Sequence, residues 1–178
     1  MVGLLDYAIV PAGPGDAADL ARVHVTSWRE TYPGLLPQTY LNGMRTSAHA
    51  RRFHRDLIDA RPGELVLLAE GAGGPVGYAA GALLKAARRP ADCEVFTLYV
   101  LREHQSAGVG RALLIAAARA FRAQGAGSLM LKVLSGNRHA RGFYEHLGGE
   151  AFAELGLHGW GQGLTETAYR WMDIAALT

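Results

Sequence analysis

A short glycine-containing turn from Gln105 to Arg111 constrains this chain more than any other feature of its sequence. Cys93 to Leu101, before it, is rich in β-branched and aromatic residues and predicts a strand. Val109 to Gln124, after it, is dense in alanine and leucine and predicts a helix. Glycines let such a turn approach a ligand closely, and the free amides and dipole of the next helix suit a phosphate or pyrophosphate.

Two common phosphate-binding fingerprints fit this turn poorly. A Walker A loop requires Lys and then Ser or Thr after its last glycine, whereas Gly110 is followed by Arg111 and Ala112. A dinucleotide fingerprint requires a third small residue where this chain has Leu113, and an acidic residue about 20 positions later. Met130 to Leu134, in the next predicted strand, supplies no such acid. Taken alone, the turn is also compatible with an ordinary glycine-rich connection.

The rest of the chain predicts strands and helices in a mixed order. A first strand at Tyr7 to Val10 precedes helices from Asp16 to about Thr31 and from Ser47 to Ala60. A β-hairpin follows, formed by Leu65 to Ala69 and Val76 to Leu84.

The C-terminal half continues this alternation after the glycine-containing turn and its helix. Leu129 to Leu134 predicts a strand, and Asn137 to Leu147 predicts a short helix. Two final strands, Ala151 to Leu157 and Glu166 to Ile174, flank a glycine-rich turn at Gly159 to Gly163. This order predicts an α/β protein with a mixed α+β sheet flanked by helices, in a single domain over residues 1–178.

Composition narrows the class of protein and its partners. The 178 residues are 49% hydrophobic and 19% charged, which is typical of a globular chain with a substantial core. A net charge of +2 is too small to indicate nucleic acid and fits an anionic small ligand. The only cysteine, Cys93, excludes an internal disulfide and a cysteine zinc site, and we predict a buried thiol. Because we find neither a signal peptide nor a run of ~20 apolar residues, we expect a cytoplasmic protein with no membrane partner.

Two segments together resemble the GNAT superfamily, the GCN5-related N-acetyltransferases. Gln105, Gly108 and Gly110 match its motif A, Gln/Arg-x-x-Gly-x-Gly/Ala, which opens the helix that cradles the CoA pyrophosphate. A later stretch resembles motif B, in which Asn-x-x-Ala-x-x-Phe-Tyr leads to Leu-Gly; the matching residues are Asn137, Ala140, Phe143, Tyr144, Leu147 and Gly148. The resemblance implies a GNAT-like acyl-CoA N-acyltransferase fold, with acetyl-CoA as cosubstrate and a primary amine as acceptor.

The resemblance also implies which residues meet the cofactor. The backbone of Leu98, Tyr99 and Val100 matches the strand that pairs with the pantetheine arm, and this strand is usually splayed from the next one. The pyrophosphate turn corresponds to Ser106, Ala107, Gly108, Val109, Gly110 and Arg111. Asn137 matches a residue that contacts the cofactor arm and is also a natural helix N-cap.

Tyr144 and Glu94 are the predicted catalytic residues. Tyr144 matches the family's usual general acid, since a phenol stays protonated at neutral pH and can give its proton to the departing CoA thiolate. Glu94 begins the strand beside the turn and is the candidate general base. Strict alternation would place Glu94, Phe96 and Leu98 on one face of that strand. Some relatives carry the base on the next strand, where this chain reads Leu129 to Lys132. Direct attack on the thioester needs no metal.

His24, Trp28 and Tyr32 form one stripe at helical spacing on the first predicted helix. Core packing explains such a stripe, but in the resembled fold this helix borders the acceptor. Trp28 and Tyr32 are therefore the candidate substrate-binding residues.

The acceptor itself has no recognisable code in the first helices or the last hairpin. A small-molecule amine and a protein N-terminus or lysine all remain open, and a homodimer is open because relatives often dimerise. The main alternative is a non-catalytic acyl-CoA-binding regulatory module that keeps the fold, and the presence of Tyr144 argues against it. A P-loop-like nucleotide enzyme is a more distant alternative.

Overall fold

A mixed β-sheet forms the centre of the computed structural model, which describes residues 7–85, 89–157 and 163–177. Its strands are β1 (Ala8–Pro11), β2 (Glu64–Gly71), β3 (Gly74–Leu83), β4 (Cys93–Val100), β5 (Leu129–Leu134), β6 (Glu150–Gly156) and β7 (Thr165–Trp171). Over these described ranges the strand order is β1-β2-β3-β4-β5-β7-β6, and β4 and β5 alone run parallel. The predicted α/β class with a mixed sheet is confirmed.

Helices cover both faces of this sheet. They are α1 (Ala17–Thr31), α2 (Gln38–Gly43), α3 (Thr46–Ile58), α4 (Val109–Arg122) and α5 (Arg138–His146), with 3-10 turns at Pro14–Asp16, Arg102–His104 and Ile174–Ala176. On one face, α4 buries Leu113 and Phe121 in a large cluster that also includes residues of α5. On the other face, α1 and α3 bury Leu20 and Phe53 against β2 and β3. α2 adds Leu41 to a smaller cluster beside the end of α1.

The predicted order of strands and helices is confirmed, with boundaries shifted by a few residues. β6 and β7 pair as the final hairpin, although residues 159–162 of its predicted glycine-rich turn lie outside the described ranges. None of the helices in the described ranges combines the length and the apolar character that a bilayer span requires.

Cys93 is buried, as predicted, and its Sγ donates to the Ser128 carbonyl oxygen at 3.3 Å. Burial, assisted by the nearby negative charge of Asp92, raises the pKa of this thiol to about 12. A thiol in this state is an unreactive core side chain rather than a nucleophile.

β4 and β5 separate after a short parallel contact. Their described pairing consists of Cys93 with Leu129, Glu94 with Met130 and Val95 with Leu131. Beyond this point β4 continues to pair with β3 and β5 continues to pair with β7, so each strand keeps a partner on its outer side. The splayed strands expected from the family resemblance are therefore present, and they leave a wedge-shaped gap in the sheet.

A β-bulge in β4 changes which of its side chains share a face. Ala80 pairs with Thr97 and Gly81 pairs with Val95, so Phe96 is the extra residue. A Cβ atom at Gly81 would lie against the Glu94 carbonyl oxygen, which explains the need for glycine in the facing strand.

The bulge makes the expected common face of Glu94, Phe96 and Leu98 wrong. Leu98 packs into the same cluster as Val95, on the α4 face of the sheet. On β3, Ala82 and Tyr78 lie on the same face because the strand alternates regularly. Glu94 pairs with Ala82, and Tyr99 pairs with Tyr78. Glu94 therefore shares the α1 face with Tyr99. In a strictly alternating strand, every residue after Phe96 would project to the face opposite to the one observed.

Asp92 connects the closed end of the wedge to the start of β5. Its carboxylate accepts hydrogen bonds from the backbone amides of Gly127 and Ser128 at 2.9 and 3.1 Å, and from the Ser128 hydroxyl at 3.0 Å. Arg89 adds an ion pair at 2.9 Å. These donors, of which the Gly127 amide acts most strongly, lower the pKa of Asp92 to about 2.

We predict that Asp92→Ala lowers the free energy of unfolding by about 1–3 kcal/mol at neutral pH, since several donors to a charged acceptor are lost together. Because the folded state depresses the Asp92 pKa from 3.8 to about 2, this contribution is present above pH 3.8 and is lost as the pH falls towards 2. Urea unfolding of wild type and variant across this range measures the difference. A difference that is the same at pH 2 as at neutral pH would contradict the assignment.

Candidate active site

The turn between β4 and α4 adopts an unusual backbone conformation. Gly108 stands at the N-cap of α4 with φ +82°, and Ser106 has φ +60°, a left-handed conformation that is uncommon for residues other than glycine. Among the described residues, no side chain caps the first turn of α4. The helix therefore presents backbone N–H groups and the positive end of its dipole at this turn, an arrangement that suits an anion.

Contacts on both sides hold this turn in place. The Gln105 side chain donates to the Val100 carbonyl oxygen at 3.0 Å, which ties the turn to the end of β4. The Arg102 amide donates to the Glu30 carboxylate at 3.0 Å, and the Arg102 guanidinium donates to the Glu30 carbonyl oxygen. Both bonds join the turn to the C-terminal end of α1.

One side of the wedge is the end of β4 that leads into this turn, formed by Leu98, Tyr99 and Val100. Each pairs with β3, where Gly77 lies so close that a Cβ atom there would be 2.8 Å from the Tyr99 carbonyl oxygen. On their other side the described pairing with β5 has already ended at Val95. An extended ligand in the wedge could therefore pair with this strand edge as an additional strand does.

Asn137 and Tyr144 come from α5, which follows β5. The Asn137 side chain accepts from the Ala140 amide at 3.1 Å, so its predicted role as N-cap is confirmed. Tyr144 is 6% exposed and its ring packs between Phe143, Tyr169 and Trp171.

The hydroxyl of Tyr144 has no protein hydrogen-bond partner among the described residues, although its ring is buried. Burial raises the pKa of Tyr144 above its usual value of 10, and the nearby Tyr32 phenol adds to the effect. The hydroxyl is therefore protonated at neutral pH and is available as a hydrogen-bond donor.

Phenols from three elements come together near this hydroxyl. The Tyr32 and Tyr99 hydroxyls are 2.9 Å apart, and their rings meet edge to face. Burial raises the pKa of Tyr99 well above 10, and the Tyr32, Tyr78 and Tyr144 phenols raise it further. The mutual effects of Tyr32, Tyr99 and Tyr144 indicate that their polar ends lie within electrostatic reach of one another.

The stripe on α1 faces the sheet, as its spacing predicts. His24 contacts Trp28 at a ring-centroid distance of 5.1 Å, and Trp28 contacts Tyr32 at 5.0 Å. His24 is buried, and its Nδ1 shares a 2.7 Å hydrogen bond with the Tyr78 hydroxyl. Burial, with smaller effects of His49 and Arg52, lowers the pKa of His24 to about 3. His24 is therefore a neutral core residue at neutral pH. Further along α1, the Tyr32 hydroxyl shares a hydrogen bond with the Tyr99 hydroxyl, and Trp28 lies between His24 and Tyr32 on the stripe.

Glu94 lies at the closed end of the wedge and is paired with a cation. Its side chain is 13% exposed, and its Oε1 is 2.9 Å from Lys132 Nζ. On β5, where some relatives carry the base, Lys132 instead pairs with Glu94, which was not predicted. In the sequence, the signal for this ion pair is that Glu94 and Lys132 carry opposite charges on consecutive predicted strands. Their contact depends on the register of β4 and β5, which the sequence does not reveal.

Sequence reasoning overlooked Glu166. It lies on β7 opposite Leu134, the last residue of β5, and therefore on the α1 face at the open end of the wedge. Its negative charge contributes to raising the pKa of Tyr32, after the larger effect of burial. In the sequence, Glu166 is only an acidic residue at the start of a predicted strand, and most such residues are solvent-exposed without a functional role.

Comparison with known proteins gives the context for this arrangement. Residues 25–149 match the model of the acetyltransferase (GNAT) family. An uncharacterized N-acetyltransferase of Bacillus subtilis strain 168, YuaI, is 33% identical over 163 residues, or 91% of either chain.

Solved structures give the same result for the fold. The PaiA N-acetyltransferase from Thermoplasma acidophilum, in complex with coenzyme A, matches 92% of this chain and 97% of its own, with a TM-score of 0.72 and 19% identity. A GCN5-related N-acetyltransferase from Rhodopseudomonas palustris matches 92% and 93% of the two chains, with a TM-score of 0.70 and 25% identity. Fold, family match and sequence relative agree, and the chain belongs to the GNAT family of acetyltransferases.

Proposed function

We propose that this protein transfers an acetyl group from acetyl-CoA to a primary amine by direct attack of the amine on the thioester. The observation that carries the proposal is the wedge between β4 and β5, because it combines an unpaired strand edge with an uncapped helix and a protonated phenol. The CoA complex of the PaiA enzyme from Thermoplasma acidophilum supports this choice of cosubstrate.

The residues beside the wedge fit the chemical groups of acetyl-CoA. The turn formed by Ser106, Ala107, Gly108, Val109, Gly110 and Arg111 would hold the pyrophosphate through backbone amides and the dipole of α4. The free edge of Leu98, Tyr99 and Val100 would pair with the amides of the pantetheine arm. Asn137 would contact the same arm while it caps α5, since a capping amide keeps donor groups for a ligand.

Acetyl-CoA supplies an acetyl group that is activated as a thioester. The amine nitrogen forms the new C–N bond while the C–S bond breaks. A backbone amide on the open edge of β4 would donate to the carbonyl oxygen as negative charge develops there.

Tyr144 would protonate the departing sulfur. A phenol with a raised pKa is a weak acid, so transfer to a thiolate in water would be unfavourable. Inside the wedge the thiolate is desolvated as well, which raises its own affinity for a proton. The unpartnered hydroxyl of Tyr144 can then donate without first breaking a protein hydrogen bond.

Glu94 remains the candidate base, although its ion pair changes how it would act. The carboxylate is held 2.9 Å from Lys132 Nζ, so the lysine competes with an incoming ammonium group for the same oxygens. Glu94 would therefore accept a proton through a water molecule, while Lys132 holds the carboxylate in position.

Trp28 and Tyr32 would form the wall against which the acceptor packs. They contact each other, and the Tyr32 hydroxyl binds that of Tyr99 on the strand that borders the wedge. The acceptors compatible with this wall are small-molecule amines and the N-terminus or lysine of a protein.

We predict that Gly108→Glu weakens acetyl-CoA binding at least tenfold, because it places a carboxylate and a strained residue where the pyrophosphate would bind. The matched control is Gly125→Glu, since Gly125 has φ +91° just beyond the opposite end of α4 and an open surrounding. Titration calorimetry with acetyl-CoA measures both variants. Equal affinity in the two variants, or no binding to folded wild type, would disprove the assignment of the turn.

We predict that Tyr144→Phe lowers kcat by about 10²–10⁴-fold, the usual contribution of a general acid, and changes acetyl-CoA affinity less than threefold. A free-thiol assay across an amine panel measures turnover. Tyr169→Phe is the matched control, because its ring packs on Tyr144 while its hydroxyl serves Glu145 and Arg141. That variant should lose stability and keep kcat. Acetyl-CoA binding without turnover by wild type would favour the regulatory module instead.

A further inference from the structure

We infer that Glu166, together with the aromatic side chains of Trp28 and Tyr32, forms a subsite that receives the acceptor as an ammonium ion. This inference rests on the proposed function and narrows its substrate class. The acceptor would be an aliphatic primary amine that is protonated in solution, in contrast to an arylamine or an uncharged nucleophile.

The register of the sheet places Glu166 on the acceptor face. It lies opposite Leu134 of β5 and opposite Leu155 of β6. Leu134 belongs to the cluster that contains Tyr32, and Trp28 packs against that cluster. Because paired residues of antiparallel strands point to the same face, Glu166 projects to the side of the sheet where Trp28 and Tyr32 lie.

Glu166 is partly buried, and its carboxylate makes no hydrogen bond or ion pair with a described residue. Other carboxylates in this part of the chain are paired: Glu94 with Lys132, Glu145 with Tyr169, Glu150 with Arg170 and Glu154 with Thr165. A carboxylate without a protein partner keeps its oxygens available to a cationic ligand, and partial burial strengthens such a charged hydrogen bond.

Tyr32 links Glu166 to the reacting end of the wedge. Burial raises the pKa of the Tyr32 phenol most, and the negative charge of Glu166 raises it further, which indicates that the two groups are close. The same phenol shares a hydrogen bond with Tyr99 and acts electrostatically on Tyr144. An ammonium group held at Glu166 would therefore lie beside the residues that handle the thioester, and it would give up one proton through water to the base before its nitrogen attacks.

Aromatic faces complete the subsite. Trp28 and Tyr32 meet edge to face with ring centroids 5.0 Å apart, and Tyr99 is 6.3 Å from Trp28. A cation near such rings is attracted by their π-electrons, most strongly by tryptophan. Among the described residues of this face, Glu94 is already paired with Lys132 and Glu150 with Arg170, whereas Glu166 has no cation partner.

The test compares two probes that differ in charge and hardly in shape, 2-phenylethylamine and 2-phenylethanol. Each is titrated calorimetrically into the full chain saturated with CoA, for wild type, Glu166→Gln and the control Glu154→Gln. Glu154 lies on β6 of the same hairpin, with its carboxylate exposed and bonded to the Thr165 hydroxyl at 2.7 Å. Glu154 pairs with Thr167 and so projects to the opposite face from Glu166, and the control therefore removes an equal charge from the same hairpin but outside the subsite.

We expect wild type and Glu154→Gln to bind the amine at least tenfold more tightly than the alcohol, and Glu166→Gln to bind both about equally. Affinity for acetyl-CoA should be the same in all three proteins. Equal binding of the two probes by wild type, no binding of either, or retained preference in Glu166→Gln would overturn the inference. Failure of acetyl-CoA to bind wild type would instead refute the proposed function, so the two failures are distinguishable.

Discussion

The parting of β4 from β5 is the constraint on which the rest of the structure depends. Two parallel strands that stayed paired would satisfy each other's backbone groups and leave no room between them. Here the pairing stops at Val95 and Leu131, and both strands survive because β3 and β7 satisfy their outer edges. The gap therefore costs inner-edge hydrogen bonds, and a ligand with amides at the right spacing can restore them.

Two local devices keep the wedge in shape. At its closed end, Asp92 gathers donors from Gly127 and Ser128, so that β5 starts at a fixed position beside β4. Within β4, the bulge at Phe96 turns the strand, and Gly81 on β3 provides the space that the bulge requires. Together they allow a strand that begins paired with β5 to end tied, through Gln105, to the turn that precedes α4.

Sequence patterns correctly predicted features that depend on neighbouring residues. They failed for features that depend on the register between strands far apart in the sequence. The strand–turn–helix around Gly108 and the N-cap at Asn137 depend on neighbouring residues, and both were predicted correctly. The bulge at Phe96 was not predictable, because it depends on how β3 and β4 align, and it reversed the expected face of Leu98. The Glu94–Lys132 pair and the position of Glu166 likewise depend on which residues of separate strands come to lie side by side.

The electrostatics of the α1 face follow from these long-range alignments. His24 could have carried positive charge beside Trp28, but burial lowers its pKa to about 3 and keeps it neutral. Lys132 could have repelled an ammonium group, but its charge is matched by Glu94. Arg170, on the same face of β7, is paired with Glu150, and Glu166 makes no ion pair with a described residue. A face built in this way would suit a cationic acceptor even though the chain as a whole carries a net charge of +2.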